Sequence, residues 1–122
     1  MNEEEIKDFL FQQGLNYYRS KDYFEAHESW EDLWSDYYLE DRKFVQGLIQ
    51  LSVSFVHLSR GNMNGAKSLL NKCIEKFRIY SGVHRGIDVK YLIEQINNVK
   101  EMYNQIADSK DFDWTCVPKL DQ

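Results

Sequence analysis

The stretch that most limits how this chain can fold is "FVQGLIQLSVSFVHLS", sixteen residues from Phe44 to Ser59 without a charge. A helix that is apolar nearly all round belongs in an interior. Sixteen residues also fall short of the roughly 20 that cross a bilayer. The segment is therefore expected as the central helix of a bundle, with Ile49 and Phe55 almost inaccessible to water.

The flanking sequence supplies partners of the same kind. The single proline is Pro118, and apolar residues recur at helical rather than strand spacing through most of the chain. Helices are expected over about 3–20, 22–39, 41–60, 62–80 and 88–107, with a tail over 108–122. The first would bury Ile6, Phe9, Leu10, Gly14, Tyr17 and Tyr18. The second, behind an Asp22 cap, would bury Tyr23, Ala26, Trp30, Trp34 and Tyr37. Gly61 is placed for a left-handed turn ahead of an Asn62 cap, and "SGVHRG" reads as a plain loop. The tail has no helical period but carries Phe112, Trp114 and Val117, so it is expected to lie extended across the bundle. The fold class is all-α, a compact bundle of about five antiparallel helices in a single domain over residues 1–122.

An offset of 40 residues aligns Asp22 with Asn62, Ala26 with Ala66, Trp30 with Leu70, Trp34 with Ile74 and Tyr37 with Phe77. The pattern resembles tetratricopeptide hairpins, whose repeat is nearer 34 residues. Any two amphipathic helices align in this way, so both readings stand at this point.

Charge excludes several classes of function. The chain carries a net −5, with its 15 Lys and Arg scattered, so the basic footprint of a nucleic-acid binder is missing. The N-terminus "MNEEEIKDFL" is acidic where a secretory leader is basic and then apolar, and a cytoplasmic protein without membrane partners is expected. Cys73 and Cys116 lie far apart without metal-ligand or disulfide spacing. Phosphate-loop, dinucleotide and nucleophile-elbow motifs are missing too. No cofactor is expected.

The chemistry that remains is in "FEAHESWEDLW" and the central helix. At ~100° per residue, His27 falls roughly 40° from the middle of the apolar face, Glu31 at its edge and Glu28 further round. On the central helix Gln46, Gln50 and His57 fall within roughly 40° of one another. Unpaired buried polar groups cost about 1–3 kcal/mol each, so the edge carrying His27, Glu28 and Glu31 is expected to pair with the stripe of Gln46, Gln50 and His57. Three readings follow. The residues form an internal network that fixes helix register. They line a groove for a protein, a peptide, a small molecule or a second copy of the chain. Or His27, Glu28, Glu31 and His57 hold a metal or move protons in a small hydrolase-like enzyme, although HESWE, with Glu31 in the fifth place, is not the HExxH of zinc proteases. The favoured reading is a binding or scaffold module with an internal polar network, rather than an enzyme.

The ordered series AHE, W, QGLIQ, H, RGN, GA resembles the bacterial and archaeal family called domain of unknown function 309, over roughly Gly14 to Leu92. The resemblance implies a compact helical bundle with no assigned activity. It implies signature positions at Ala26, His27, Glu28, Trp34, Gln46, Gly47, Gln50, His57, Gly61, Asn62, Gly65 and Ala66. The segment "SGVHRGIDV" departs from the family by being longer before the last helix.

Overall fold

The computed structural model describes residues 1–122, which form five helices: α1 (Glu3–Arg19), α2 (Tyr23–Asp36), α3 (Arg42–Ser59), α4 (Met63–Phe77) and α5 (Val89–Gln105). The uncharged helix α3 has ten buried residues, against four on α2 and five on α4, so it is the centre of the packing. It lies between α2 and α4, with α1 on the far side of α2 and α5 on the far side of α4. Phe55 is fully buried. Ile49, expected to be equally inaccessible, is only half-buried, because it borders a face of α3 that no helix covers.

The two helical hairpins α1–α2 and α3–α4 turn alike. Tyr17 C=O accepts the N–H of Asp22 and Tyr18 C=O that of Lys21; forty residues on, His57 C=O accepts the N–H of Asn62 and Leu58 C=O that of Gly61. Each turn closes its helix with the paired hydrogen bonds of a Schellman motif round a left-handed residue, Lys21 in one and Gly61 in the other. Burial repeats at the same offset: Phe11, Leu15 and Tyr18 correspond to Leu51, Phe55 and Leu58, all in the core. The likeness of the two hairpins to each other is thus one of backbone as well as side-chain size.

Two helix faces differ from expectation. On α1 the centre is Phe11, Gly14, Leu15 and Tyr18, while Phe9 is 51% exposed. On α2 the buried set is Ala26, Ser29, Trp30 and Leu33, which turns the inner face by about 50° away from Tyr23 and Trp34. A polar pair hid the shift: Ser29 Oγ donates to Gln13 Oε1 at 2.9 Å between α1 and α2. Gly14 lets the Trp30 indole reach α1, where its Nε1–H donates to Phe11 C=O at 3.1 Å.

Helix ends are also earlier than expected. α2 was expected to reach residue 39 but stops at Asp36, where Tyr37 takes an extended conformation. α4 was expected to reach residue 80 but stops at Phe77. Tyr80 then folds back so that its ring packs on Phe44 and its hydroxyl, at 3.2 Å, shares the Phe44 N–H with Asp41 C=O at the start of α3. α5 runs over 89–105 rather than 88–107. Asn62 caps α4 by accepting from Gly65 N–H, whereas Asp22 stands at the cap position of α2 without a side-chain bond.

The segment read as a plain loop holds a two-residue ladder, β1 (Val83–His84) paired antiparallel with β2 (Ile87–Asp88). Its turn residues Arg85 and Gly86 both have positive φ, 49° and 78°, the type I′ geometry that matches strand twist. The tail crosses the bundle as expected, with two single 3-10 turns in it. Trp114 stacks on Tyr23 at 6.0 Å, Leu120 is buried, and Tyr18 Oη donates to Pro118 C=O at 2.6 Å.

Candidate functional site: a polar face across three helices

Between α2 and α4 one side of α3 is left half-covered. Gln46, Gln50, Val53 and His57 lie along it, spaced so that each is about one turn from the next, with Ile49 at its edge. Contacts at both ends fix the walls. On the α2 side, the Arg60 guanidinium lies 5.7 Å from the Phe24 ring and that of Arg42 4.1 Å from the Trp34 ring, so the row of Phe24, His27, Glu31 and Trp34 runs beside α3. On the α4 side, a side chain at Gly65 would meet His57, and one at Gly47 would meet Phe77 and Lys76. The row of Gly65, Leu69, Lys72 and Lys76 therefore forms the other wall.

Of the six residues singled out from the sequence, all but the exposed Glu28 lie on or beside this face, but they do not form the internal network expected of them. His27 Nδ1–H donates to Phe24 C=O at 2.7 Å and its Nε2 lies 3.8 Å from Glu31 Oε2, both within α2. Glu28 and Glu31 are exposed. His57 Nδ1 accepts from Asn62 Nδ2 at 3.3 Å, which leaves the proton of the neutral ring on Nε2. No hydrogen bond crosses from His27, Glu28 or Glu31 to Gln46, Gln50 or His57. The reason is the rotation of α2 described above: it carries His27 from near the middle of the inner face to its border, where each polar group finds a partner on its own helix or in water. The metal reading is corrected on the same ground. His27, Glu28, Glu31 and His57 do not converge, and no group of three or more His, Cys, Asp or Glu side chains is placed to hold an ion.

What the face retains is uncommitted hydrogen-bonding capacity. Neither Gln46 nor Gln50 makes a side-chain bond, and Gln50 Oε1 is buried without a partner, as is Trp34 Nε1 on the adjacent wall. In most proteins buried polar atoms are paired. Ser52 Oγ, fully buried in the core, is unpaired as well, so what distinguishes Gln50 is its place in a row of half-buried amides on an uncovered face.

A second polar cluster was not anticipated. Asp41, at the start of α3, accepts from Arg85 through Nε and, at 2.9 Å, Nη2, and from His84 Nε2–H at 2.8 Å. Burial alone would raise the Asp41 carboxyl, but the hydrogen bonds and charges of Arg85 and His84 outweigh it and bring the group from 3.8 down to about 2. The His84 ring packs between Phe44 and Tyr80, and Arg85 lies over Phe11. The cluster lines one side of an open cleft of about 770 Å³ that also receives Lys7, Asp8 and Tyr38. Every ionic group of the cluster is paired inside it, and its effect is to pin the β1–β2 turn to α3. The signal in sequence was faint, because Asp41 and His84 are 43 residues apart and Arg-Gly is a weaker hairpin turn than Asn-Gly or Asp-Gly.

The comparisons with known proteins fall on the same part of the chain. The sequence model of the family described as domain of unknown function (DUF309) matches residues 11–69, from the middle of α1 into α4, and stops short of the Leu92 to which the resemblance was expected to run. The uncharacterized protein YpuF of Bacillus subtilis (strain 168) is 33% identical over 99 residues, which is 76% of this chain and 55% of that protein. The chain thus spans about half the length of this relative. The matched region contains the α3 row and the α2 wall, while His84 and Arg85 lie beyond it. Over residues 11–69, just under half of the chain, the sequence matches the model of the family DUF309.

Proposed function

We propose that the protein is a helical binding module whose binding surface is the half-covered side of α3 between the walls of α2 and α4. The observation that carries this reading is Gln50, whose amide oxygen is buried and unpaired in a row of otherwise uncommitted polar side chains. An unsatisfied buried acceptor costs about 1–3 kcal/mol. A fold that gains nothing from it keeps it for a partner that supplies the missing donor. The repeat of α1–α2 in α3–α4 supports the same reading, since hairpin arrays hold their faces rigid and present extended surfaces. A half-covered helix face suits a segment of another protein better than an enclosed small molecule.

The test is site-specific photocrosslinking in living cells of the native host. A benzophenone amino acid placed at Gln46 is expected to give an adduct of defined mass, and the same group at Glu94, exposed on α5, is expected to give none. No adduct at position 46, or equal adducts at both positions, would remove the reading.

A further inference from the structure

We propose that the cleft beside the α1–α2 turn is a second, separate site, and that it takes a free aromatic amino acid in its zwitterionic form.

Comparing the two hairpins shows what is unusual about this turn. Lys21 and Gly61 hold the same left-handed backbone, with φ of 66° and 76°. Glycine avoids the crowding that a Cβ meets there, and lysine does not. At the next position Asn62 caps α4 by accepting from Gly65 N–H, while Asp22 makes no such bond to α2. Two residues further on, Phe24 is 41% exposed where the second hairpin has Asn64. The first turn thus forgoes three local gains that the second turn takes. Residues that break local rules without a return inside the fold are characteristic of functional sites.

These residues line one cleft. Its volume is about 570 Å³, within the range of small-molecule sites. Val56, nearly buried on α3, and the rings of Tyr23, Phe24 and Trp114 make its apolar lining. Trp114 comes from the tail and stacks on Tyr23 with 19° between the planes, so both rings are held in place by the fold. A planar aromatic group packs well against such rings.

Charge then selects the ligand. The cleft carries two cations, Lys21 and Arg60, and two carboxylates, Asp22 and Glu25. None of the four makes an ion pair or a side-chain hydrogen bond, and the Arg60 guanidinium only approaches the Phe24 ring, at 5.7 Å. A ligand of one sign would meet like charges as well as opposite ones. An α-amino acid brings a carboxylate for Lys21 and Arg60 and an ammonium for Asp22 and Glu25, both on one carbon beside its ring. An aromatic residue inside a polypeptide has lost both charges to its peptide bonds.

The test is a titration of isotope-labelled protein followed by backbone amide chemical shifts. The probes are L-tryptophan; tryptamine, which lacks the carboxylate; indolepropionate, which lacks the ammonium; and N-acetyltryptophanamide, which lacks both charges. Tryptophan is expected to shift the amides of Lys21, Phe24 and Arg60 saturably. Each other probe is expected to bind about fivefold more weakly or worse, the upper worth of one exposed ion pair. Phe24→Ala, at an exposed residue, is expected to weaken tryptophan about fivefold. Lys21→Gly, which relieves the crowded backbone and so keeps the fold, is expected to weaken tryptophan and indolepropionate and to leave tryptamine unchanged. No saturable shift with tryptophan, or Lys21→Gly without effect on tryptophan, would overturn the proposal. Equal binding of tryptophan and N-acetyltryptophanamide would overturn it too, since the cleft would then hold only a ring, as it would an anchor from a partner protein.

Discussion

Lys21 and Gly61 stand forty positions apart and hold the same left-handed backbone, with φ of 66° and 76°. Each closes the first helix of a hairpin with the same pair of backbone hydrogen bonds. The two residues differ in what that conformation costs, because a Cβ in the left-handed region crowds the following carbonyl by about 1–2 kcal/mol and glycine has none. Lys21→Gly is therefore expected to raise stability by about 0.5 kcal/mol, the relief being partly offset by the freedom glycine gains when unfolded. Gly61→Ala is expected to lower it by about 1 kcal/mol. A Cβ at Gly61 would meet only Ser109 Oγ at an ordinary 3.8 Å, so the second effect isolates φ from crowding. Urea unfolding of both variants measures the pair, and effects of the same sign would refute the equivalence of the turns.

Gly14 tests packing rather than backbone. A Cβ there would overlap the Trp30 indole, whose ring is fully buried and bonded to Phe11 C=O. Overpacking of this kind costs about 1–3 kcal/mol, and displacing the indole adds the loss of a buried hydrogen bond. Gly14→Ala is expected to lose about 3 kcal/mol, with a shift in tryptophan fluorescence. A melting temperature equal to the parent's would mean that α1 and α2 are further apart than described.

The tail contributes to the core. Phe112 and Leu120 are buried, Trp114 packs on Tyr23 and Phe55, and the tail accepts hydrogen bonds from Tyr18 and Arg19. At about 1.5–3 kcal/mol for each large apolar side chain, ending the chain after Asp108 is expected to cost at least about 4 kcal/mol. That corresponds to a fall of about 10 °C or more in Tm. Tyr18→Phe, which removes a single hydroxyl, is expected to cost about 1 kcal/mol.

Sequence showed some of this plainly and hid the rest for physical reasons. The uncharged run from Phe44 to Ser59 marked the central helix, and the forty-residue offset marked the repeated hairpin, because both depend on burial along one helix. The rotation of α2 was hidden because Tyr23 and Trp34 dominate hydropathy, yet large rings reach the core from its border, while Ser29 sits inside by pairing with Gln13. That rotation separates the expected network into local pairs. Gln50 and His57 are half-buried on one side of α3, since phase along one helix is local information, whereas His27 moves to the border of its face with the rotation of α2. The Asp41, His84 and Arg85 cluster was out of reach, because its members meet through a turn that sequence signals weakly.

That cluster makes a signed prediction with pH. The Asp41 carboxyl is held at about 2 against an ordinary 3.8, so it contributes stability above pH 4 that is lost as pH falls through 2. At 1.36 kcal/mol per unit the contribution is about 2 kcal/mol. Asp41→Asn is expected to be less stable at pH 7 by at least that amount and to lose this part of the acid-induced decline. Parallel stability curves for parent and variant between pH 5 and pH 2 would show that the ion pair is not formed in solution.

The central claim is that the polar row on α3 is kept for a partner and not for the fold, and Gln50→Met tests it most directly. Methionine matches the length of glutamine and removes the orphaned acceptor. Urea unfolding is expected to show a gain of about 1 kcal/mol, while the photocrosslink from Gln46 falls at least tenfold. A loss of stability of similar size with the crosslink unchanged would contradict the account, and would make Gln50 a structural residue.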